Sequence, residues 1–542
     1  MMLLDLAIVF SLTLFLLNKF ANIRQQHSIV ILSTFIGWFS SFMIIYMLPE
    51  DIAVAFYKRC LLEKTNSTKM SNASSTECGS AEKFVSDHVL LSTWRVMIVL
   101  PLMQSYSNAG DFTVVGKLRS AAYNNAVYYG IYLTVFIFLL FYAALKGVSL
   151  NAEHLKVIII SASNTWGLFL LVALLGYGLV EVPRQLWLMG VKGYRLNKTY
   201  FDIDKLSADK NEAEDALKEV YQEARSVLSL LRNEHVLREY AQTVLAKFPV
   251  DVATQLTSSC TGSFSGASSI APANEALIAN EKYLIRLHKR VITAIQNHHR
   301  TQAQWNALVR RALYLEDVQH ADDVWAGERY CMWDFRPSKK SPAALQHCPN
   351  WIVHCWRIEQ FAWHVAGKRS TFKVLALISC VFSVVVVWSE CTFFIVRPTL
   401  SVPALLVDAA ARLYDFGFLM ETIAFYLISY LCICAYYTVF KLRIYRYYHL
   451  DPNHMTDENS LLFSATLLCR LTPALCLNVL GMIHLDSHIA AHAKFPTETQ
   501  FTKLMGHLDV IPILAKGLNI YLPIFVLLLC MGTYFRLVYS AF

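Results

Sequence analysis

The sequence predicts an all-α polytopic membrane protein with about nine transmembrane helices and a cytosolic antiparallel coiled-coil hairpin. Three observations predict it. Nine strongly apolar segments recur along the 542 residues, each near the 20 or so residues that a helix needs to cross a bilayer. Charged residues make up 16%, against about 25% in an ordinary soluble domain, and 55% are hydrophobic. One long polar interruption separates the fifth and sixth segments. It divides the chain into an N-terminal membrane half (1–183, five spans), an insert (184–370) and a C-terminal membrane half (371–542, four spans).

The first run, Leu3–Leu17, is apolar apart from Asp5. No Lys or Arg precedes it and no small-residue cleavage site follows, so it reads as a span rather than a signal peptide. Lys19 and Arg24 come after it, which puts the N-terminus outside. The spans fall at roughly 2–18, 28–48, 89–106, 124–145, 155–182, 371–396, 419–440, 461–482 and 520–541. Nine crossings leave the C-terminus in the cytosol. The inside loops 19–27 (Lys19, Arg24), 107–123 (Lys117, Arg119) and 441–460 (Lys441, Arg443, Arg446) agree with the positive-inside rule.

Loop 49–88 departs from that rule, with Lys58, Arg59, Lys64, Lys69 and Lys83. Its two acceptor sequons, Asn66-Ser67-Thr68 and Asn72-Ala73-Ser74, place it outside as a glycosylated loop. Cys60 and Cys78 share this loop and are candidates for a disulfide in an oxidising compartment; the alternative is two free thiols and chance sequons. Asn197-Lys198-Thr199 falls on the inner side and is expected to stay unmodified.

In the insert, Ala213, Leu217, Val220, Ala224, Val227 and Leu231 step by three and four, which is heptad spacing within a charged helix over Asp202–Lys247. Residues 251–274 are rich in Ser, Thr and Gly and form a linker. A second periodic run follows through Leu284, Leu287, Val291, Ala294, His298, Gln302, Trp305, Leu308, Ala312 and Leu315. The linker is long enough for this run to fold back on the first. Residues 321–350 read as irregular, and 351–370 as a lead-in helix with Trp351, Trp356 and Trp363 at interfacial height.

No phosphate-cradling glycine loop, GxSxG elbow or HExxH helix is present, so the chain is read as not an enzyme and without a cofactor. The net charge of +8 belongs to membrane-flanking cations, since no basic patch with interleaved aromatics points to nucleic acid. His484, His488 and His492 with Asp486, and Cys348, His354 and Cys355 near His347, lack the full spacing of a zinc site, so no metal is expected. Ionisable groups inside spans are costly and are functional candidates. They are Arg470 in span eight, Glu390 toward the outer end of span six and Glu181 at the inner end of span five, with Arg95 in span three. Asn164, Asn478 and Gln104 add polar groups at membrane depth. They define either a polar pathway walled by spans three, five, six and eight, or structural ion pairs and interhelical hydrogen bonds. Glu390 or a water-filled cavity is the expected partner of Arg470. Pro473 and Pro523 are expected to kink or break spans eight and nine.

Several runs resemble the limb region 1 (lipocalin-receptor-like, LIMR) membrane family. They are Asn164-Thr165-Trp166-Gly167-Leu168 leading into Gly176-Tyr177-Gly178-Leu179-Val180-Glu181-Val182-Pro183-Arg184, Val386 to Phe394 around Trp388-Ser389-Glu390-Cys391, Cys469 to Asn478, and Leu100 to Tyr106. The resemblance is greatest to the limb region 1 domain-containing protein 2 branch and covers nearly the whole chain. It implies nine spans, an outside N-terminus and a central cytosolic coiled coil. Members are described as endocytic lipocalin receptors and as a lysosomal cobalamin-export partner. The nearest branch is associated with regulating G-protein-coupled receptor signalling at the plasma membrane. The resemblance carries over no catalytic residue. Relatives have a charged cytosolic tail where this chain stops at Phe542, so a short form or a fragment is expected.

Two functions follow. The first is a receptor-associated regulator or adaptor in receptor signalling or trafficking, at the plasma membrane or in the endosomal system. Its hairpin would bind cytosolic signalling or trafficking proteins while its spans meet membrane receptors and lipids. The second is a transporter or ligand-binding receptor for a small molecule or lipid, with Arg470, Glu390 and Glu181 along the route.

Overall fold

A computed structural model describes residues 2–23, 26–68, 99–145, 152–231, 235–249, 254, 281–326, 359, 363–392, 395, 399–411, 416–441, 448–485, 499–505 and 524–535. The described elements are helical. In chain order they are α1 (Met2–Phe20), α2 (Ser28–Thr68), α3 (Val114–Leu145), α4 (Ala152–Met189), α5 (Tyr194–Leu230), α6 (His235–Leu245) and α7 (Glu281–Ala326), then α8 (Lys368–Thr392), α9 (Val402–Ala411), α10 (Phe416–Lys441), α11 (Glu458–Met482), α12 (Gln500–Met505) and α13 (Ile524–Tyr534). Residues 99–107 are also helical. The chain forms two compact units: residues 1–104, 125–186 and 375–542, and residues 105–124 with 187–374.

Among the described residues, six helices are long and apolar enough to cross a membrane: Ser28–Arg59, Val114–Tyr142, Gly167–Met189, Lys368–Thr392, Leu419–Lys441 and Glu458–Met482. Leu6–Phe20 and Ile524–Tyr534 are shorter apolar helices. Most of the expected span 89–106 lies outside the described residues, as do Arg95, Asn72 and Cys78; Asn66 and Cys60 lie on α2, but their side chains are not among those described.

In the first unit, α11 is almost wholly buried among α2, α4 and α10. Its small and hydroxyl-bearing residues permit this. Gly37 of α2 lies so near that a Cβ would stand 3.0 Å from Ala465 Cβ. Thr466 and Thr472 turn their hydroxyls back onto the carbonyls of Leu462 (3.0 Å) and Leu468 (2.7 Å), so neither exposes a polar atom to lipid. The expected break at Pro473 does not occur, since α11 runs through it, and α2 and α4 likewise run through Pro49 and Pro183; Pro523 lies outside the described residues. By contrast α3 and α8 turn large apolar side chains outward, with Phe138, Val381 and Val384 all exposed. In water such faces are unfavourable; in hydrocarbon they are the ordinary surface of a span.

The segment 49–88 is not wholly a loop. The helix continues to Thr68, and Ile52, Ala53 and Phe56 are buried in the main core. The reason lies in Asp51, which is 2% exposed and accepts hydrogen bonds from the backbone of Gln500 (3.0 Å) and Phe501 (2.8 Å). It caps the N-terminus of α12, so the carboxylate is satisfied inside the fold. The loop before α11 folds onto the end of α1 in a similar way. Asn453 and His454 take left-handed φ values of 72° and 63°, which aim both N–H groups at the carbonyl of Lys19 (3.1 and 3.3 Å), and Thr456 N–H reaches Phe20 O (3.2 Å). These bonds satisfy carbonyls that a helix end leaves open.

The second unit is built on α5 and α7. Tyr200 donates to Glu316 (2.5 Å), Lys210 stands over the ring of Trp305 (5.5 Å), and Glu223 accepts from Tyr283 (2.5 Å) and pairs with Arg290. Rising numbers on one helix meet falling numbers on the other, so the two run antiparallel. Leu217, Val220, Ala224, Val227 and Leu231 are buried against Leu284, Leu287, Val291 and Ala294. The charged stretch Asp202–Lys247 is not one helix. α5 ends at Leu230, and α6 brings Ala241 and Val244, with Phe248 after it, into the same core. Residues 105–124 also join this unit. Phe112 stacks between Tyr240 (ring centroids 4.4 Å) and His288 (4.8 Å), and His288 Nδ1 meets Gly110 O at 2.8 Å. A side chain at Gly110 would run into the Ile285 carbonyl, 2.6 Å from its Cβ. Burial holds the His288 imidazole below its ordinary value. Burial, together with Glu223 accepting its hydrogen bond, pushes Tyr283 up to about 12. Asp322 joins Lys192 (3.0 Å) and Arg369 (2.6 Å).

Candidate functional site

The polar residues at membrane depth fall into three centres. The first is set by α4, where Tyr177, Glu181 and Gln185 recur every four residues and so share one face. Glu181 is fully buried. Lys441, the last residue of α10, donates to Glu181 Oε1 (2.9 Å) and to the Tyr177 hydroxyl (3.0 Å). Gln185 donates to the same carboxylate oxygen at 2.7 Å, and Arg184 reaches Oε2 at 3.5 Å. Arg184 also donates to the carbonyls of Thr533 (3.1 Å) and Tyr534 (2.8 Å), capping the end of α13. Gly178 makes this meeting possible: its backbone touches the Cys434 carbonyl of α10, and a Cβ there would collide with it. The carboxylate is thus neutralised and hydrogen-bonded within the unit. Lys441 is therefore not a free flanking charge of an inside loop.

The second centre joins Glu390 of α8 to Asn478 of α11 through a side-chain hydrogen bond. Glu390 is 3% exposed, and its Oε1 and the Asn478 Oδ1 have no hydrogen-bond partner. The third centre is Arg470. Its guanidinium donates to the Tyr128 hydroxyl of α3 at 2.7 Å, and Tyr132, one turn on, adds a second hydroxyl bonded to that of Tyr128 (3.1 Å).

The expected pairing of Arg470 with Glu390 is not formed. Glu390 is met by Asn478, eight residues from Arg470 along α11, which is about 12 Å of helix. The structure brings Glu390 and Asn478 together, gives Glu181 and Arg470 separate partners, and among the described residues shows no hydrogen bond or ion pair joining the three centres. Asn164 lies on α4, but its side chain is not among those described. Tyr128, Tyr132, Tyr177 and Gln185 escape sequence reasoning because hydroxyls and amides in an apolar run carry no pattern of their own. The only available signal for Tyr177 and Gln185 was their spacing of four on either side of Glu181. Among the described residues no group of His, Cys, Asp or Glu is arranged to hold a metal. Of the histidine run, only His484 is described, and both its ring nitrogens lack partners.

An all-helical architecture with several helices of membrane-crossing length, polar groups paired in its interior and apolar faces turned outward defines an integral, multi-pass membrane protein. The family described as LMBR1-like membrane protein matches residues 1–538, and the chain belongs to that family. It is 46% identical to a G-protein coupled receptor-associated protein LMBRD2 of Caenorhabditis briggsae, over 98% of this chain and 81% of that protein. It is 38% identical to the protein of that name in Homo sapiens, over 98% and 78%. It is also 38% identical to the LMBR1 domain-containing protein 2 homolog of Drosophila melanogaster, over 96% and 75%. No solved structure matches the chain.

Proposed function

We propose that this protein associates with G-protein-coupled receptors in the membrane and regulates their signalling or trafficking without catalysing a reaction. The observation that carries the reading is the likeness over 98% of the chain to relatives whose names state that association. The Glu181 centre supports it over a transport role: its carboxylate is closed by Lys441, Gln185 and Arg184 rather than presented to a passage. In this reading nine spans leave the N-terminus outside and the C-terminus in the cytosol, at the plasma membrane or in endosomes. The antiparallel α5–α7 pair is a cytosolic coiled-coil hairpin that binds signalling or trafficking proteins. Asn66 and Asn72 carry glycans on the outer face, and Cys60 pairs with Cys78. A glycosidase-induced mobility shift that Asn66→Gln and Asn72→Gln together abolish checks that orientation.

Proximity labelling in living cells tests the main reading, comparing the whole chain with one lacking 200–320. Receptors are expected among the neighbours of the whole chain, and cytosolic signalling neighbours are expected to vanish on deletion while membrane delivery persists. An absence of receptors around the whole chain overturns the reading. One observation favours a second reading, ligand binding or transport: the unpartnered oxygens of Glu390 and Asn478. Loss of uptake of a small molecule or lipid in a folded Glu390→Gln variant would support that alternative.

A further inference from the structure

The structure assigns Arg195, Arg311, Tyr314, His364 and Lys368 to a site at the bilayer surface for an anionic lipid whose head group ends in a phosphate monoester. Three elements bring them together: the start of α5 (Arg195), the C-terminal part of α7 (Arg311 and Tyr314), and the π-turn Trp363–Gly367 that leads into α8 (His364 and Lys368). Tyr314 is the centre of the group. Its hydroxyl lies 2.7 Å from His364 Nδ1, the Lys368 ammonium stands over its ring at 5.8 Å, and the Arg195 charge acts on it. Arg195 and Arg311 are near enough to repel each other. Burial, and then the Arg311 charge, hold the Arg195 guanidinium below its ordinary value. An arginine stays protonated all the same, so the fold keeps two like charges side by side.

The hydrogen bonding within the group is over-subscribed. Lys368 Nζ also lies 2.7 Å from His364 Nδ1. An ammonium can only donate, so Nδ1 accepts, and it has one lone pair for two donors. An incoming oxygen that takes the Tyr314 hydroxyl removes that conflict. Two guanidiniums, an ammonium and a hydroxyl suit a ligand with several oxygens and more than one negative charge. A phosphate monoester brings three oxygens and a charge of about −1.5 to −2, whereas a carboxylate brings two oxygens and a single charge.

The height of the group selects a lipid. Gly190, just past the end of α4, packs so closely on α8 that a Cβ there would stand 2.8 Å from Lys373 Cγ and 3.2 Å from the Arg369 carbonyl. The end of one span thus lies beside the first turns of another. Sequence hydropathy puts these two boundaries at about 182 and 371, while the apolar helices end at Met189 and begin at Lys368. On either boundary the five residues lie at or beyond the polar edge, on the side of the insert. Trp187 and Trp363 are exposed there, as anchors at head-group level are. Asp322 is shared by Lys192 and Arg369, so the surroundings are also rich in cations. Basic pockets at the ends of spans take phosphorylated lipid head groups. The cytosolic position of the insert, part of the reading above, decides only which leaflet supplies the lipid.

The test uses the full chain in dodecylmaltoside micelles with a fluorescent phosphatidylinositol bisphosphate, read by anisotropy. Saturable binding is expected, with displacement by unlabelled phosphatidic acid but not by the same amount of phosphatidylserine, which has no monoester. Arg195→Gln with Arg311→Gln should weaken the probe about 25-fold, about fivefold for each cation removed. Tyr314→Phe keeps the ring beneath Lys368 and should weaken it about fivefold. Lys218→Gln with Arg225→Gln removes the same charge further along α5 and should leave binding unchanged. Equal displacement by phosphatidylserine, or equal weakening by the distant pair, overturns the site. The first of these is measured on the wild type, so it holds whether or not the Arg195 variant folds. Displacement by soluble inositol trisphosphate as strong as by the lipid overturns the lipid in favour of a free phosphate ligand. A negative result here with receptor proximity intact in cells removes the lipid site and leaves the receptor association standing.

Discussion

The two units differ in how far apart along the chain their stabilising partners lie. In the helical-pair unit the core repeats every three or four residues along two helices, from Leu217 to Leu231 and from Leu284 to Ala294. In the membrane unit the decisive partners are single residues hundreds of positions apart. Glu181 and Lys441 are separated by 260 residues, Tyr128 and Arg470 by 342, and Asp51 and Phe501 by 450. Water explains the first pattern: burying apolar stripes is favourable there, so the stripe must be written into the sequence. In lipid the apolar residues face both ways, and helices are selected by close approach and by the few polar atoms that must find a partner.

That contrast can be broken at its strongest point. Lys441→Met leaves the buried Glu181 carboxylate with only Gln185 and the more distant Arg184. A loss of about 3–5 kcal/mol is expected, read as a collapse in the yield of monodisperse protein. Adding Glu181→Gln to that variant should restore much of the loss, because the uncompensated charge is gone. Leu287→Ala, in the fully buried seam of the second unit, should cost about 2–5 kcal/mol. Amide exchange on the full-length protein should place that loss in α5 and α7 and spare α11. Gly178→Ala, which forces a methyl into the Cys434 carbonyl, should cost about 1–3 kcal/mol, seen as a lower melting temperature in detergent.

The smallest expected effect is a dependence on pH confined to the helical-pair unit. Burial lowers the folded-state value of His288, and Lys247 and Lys117 act in the same direction, while the Gly110 carbonyl opposes them. The unfolded chain therefore takes up the proton first as the pH falls through about 6.5. The stabilisation is complete above that range and is lost on acidification. Exchange protection of residues 217–231 and 284–294 should fall at acid pH, and His288→Phe should remove the His288 contribution. Unchanged protection in the wild type would show that His288 binds its proton equally well in the folded and the unfolded chain.

The legibility of each element followed the same divide. The seam of the helical pair could be read directly, because Leu217, Val220, Ala224, Val227 and Leu231 are the residues that become buried. The break at Leu230 could not, since charged residues continue past it without a proline or glycine to mark the turn. In the membrane unit Arg470, Glu390 and Glu181 stood out as costly charges, but their partners did not. Tyr128 is one of several tyrosines in its run, and Lys441 read as an ordinary flanking cation. The end of α2 was missed for a related reason: two sequons, against the five cations of the segment, point to an outside loop, whereas Asp51 and the apolar residues beside it are drawn into the core.

The sequence by itself determined the class of the molecule, the positions of most of its spans, the two periodic stripes of the insert and the identity of its intramembrane charges. Each is a property of composition or local spacing, which the bilayer and the helix convert into structure without reference to distant residues. The tertiary structure alone decided which charge meets which partner: Lys441 with Glu181, Asn478 with Glu390, and Tyr128 with Arg470. Such pairings depend on which helices lie side by side and on the height of each residue along its axis, and neither is written in any local stretch of chain.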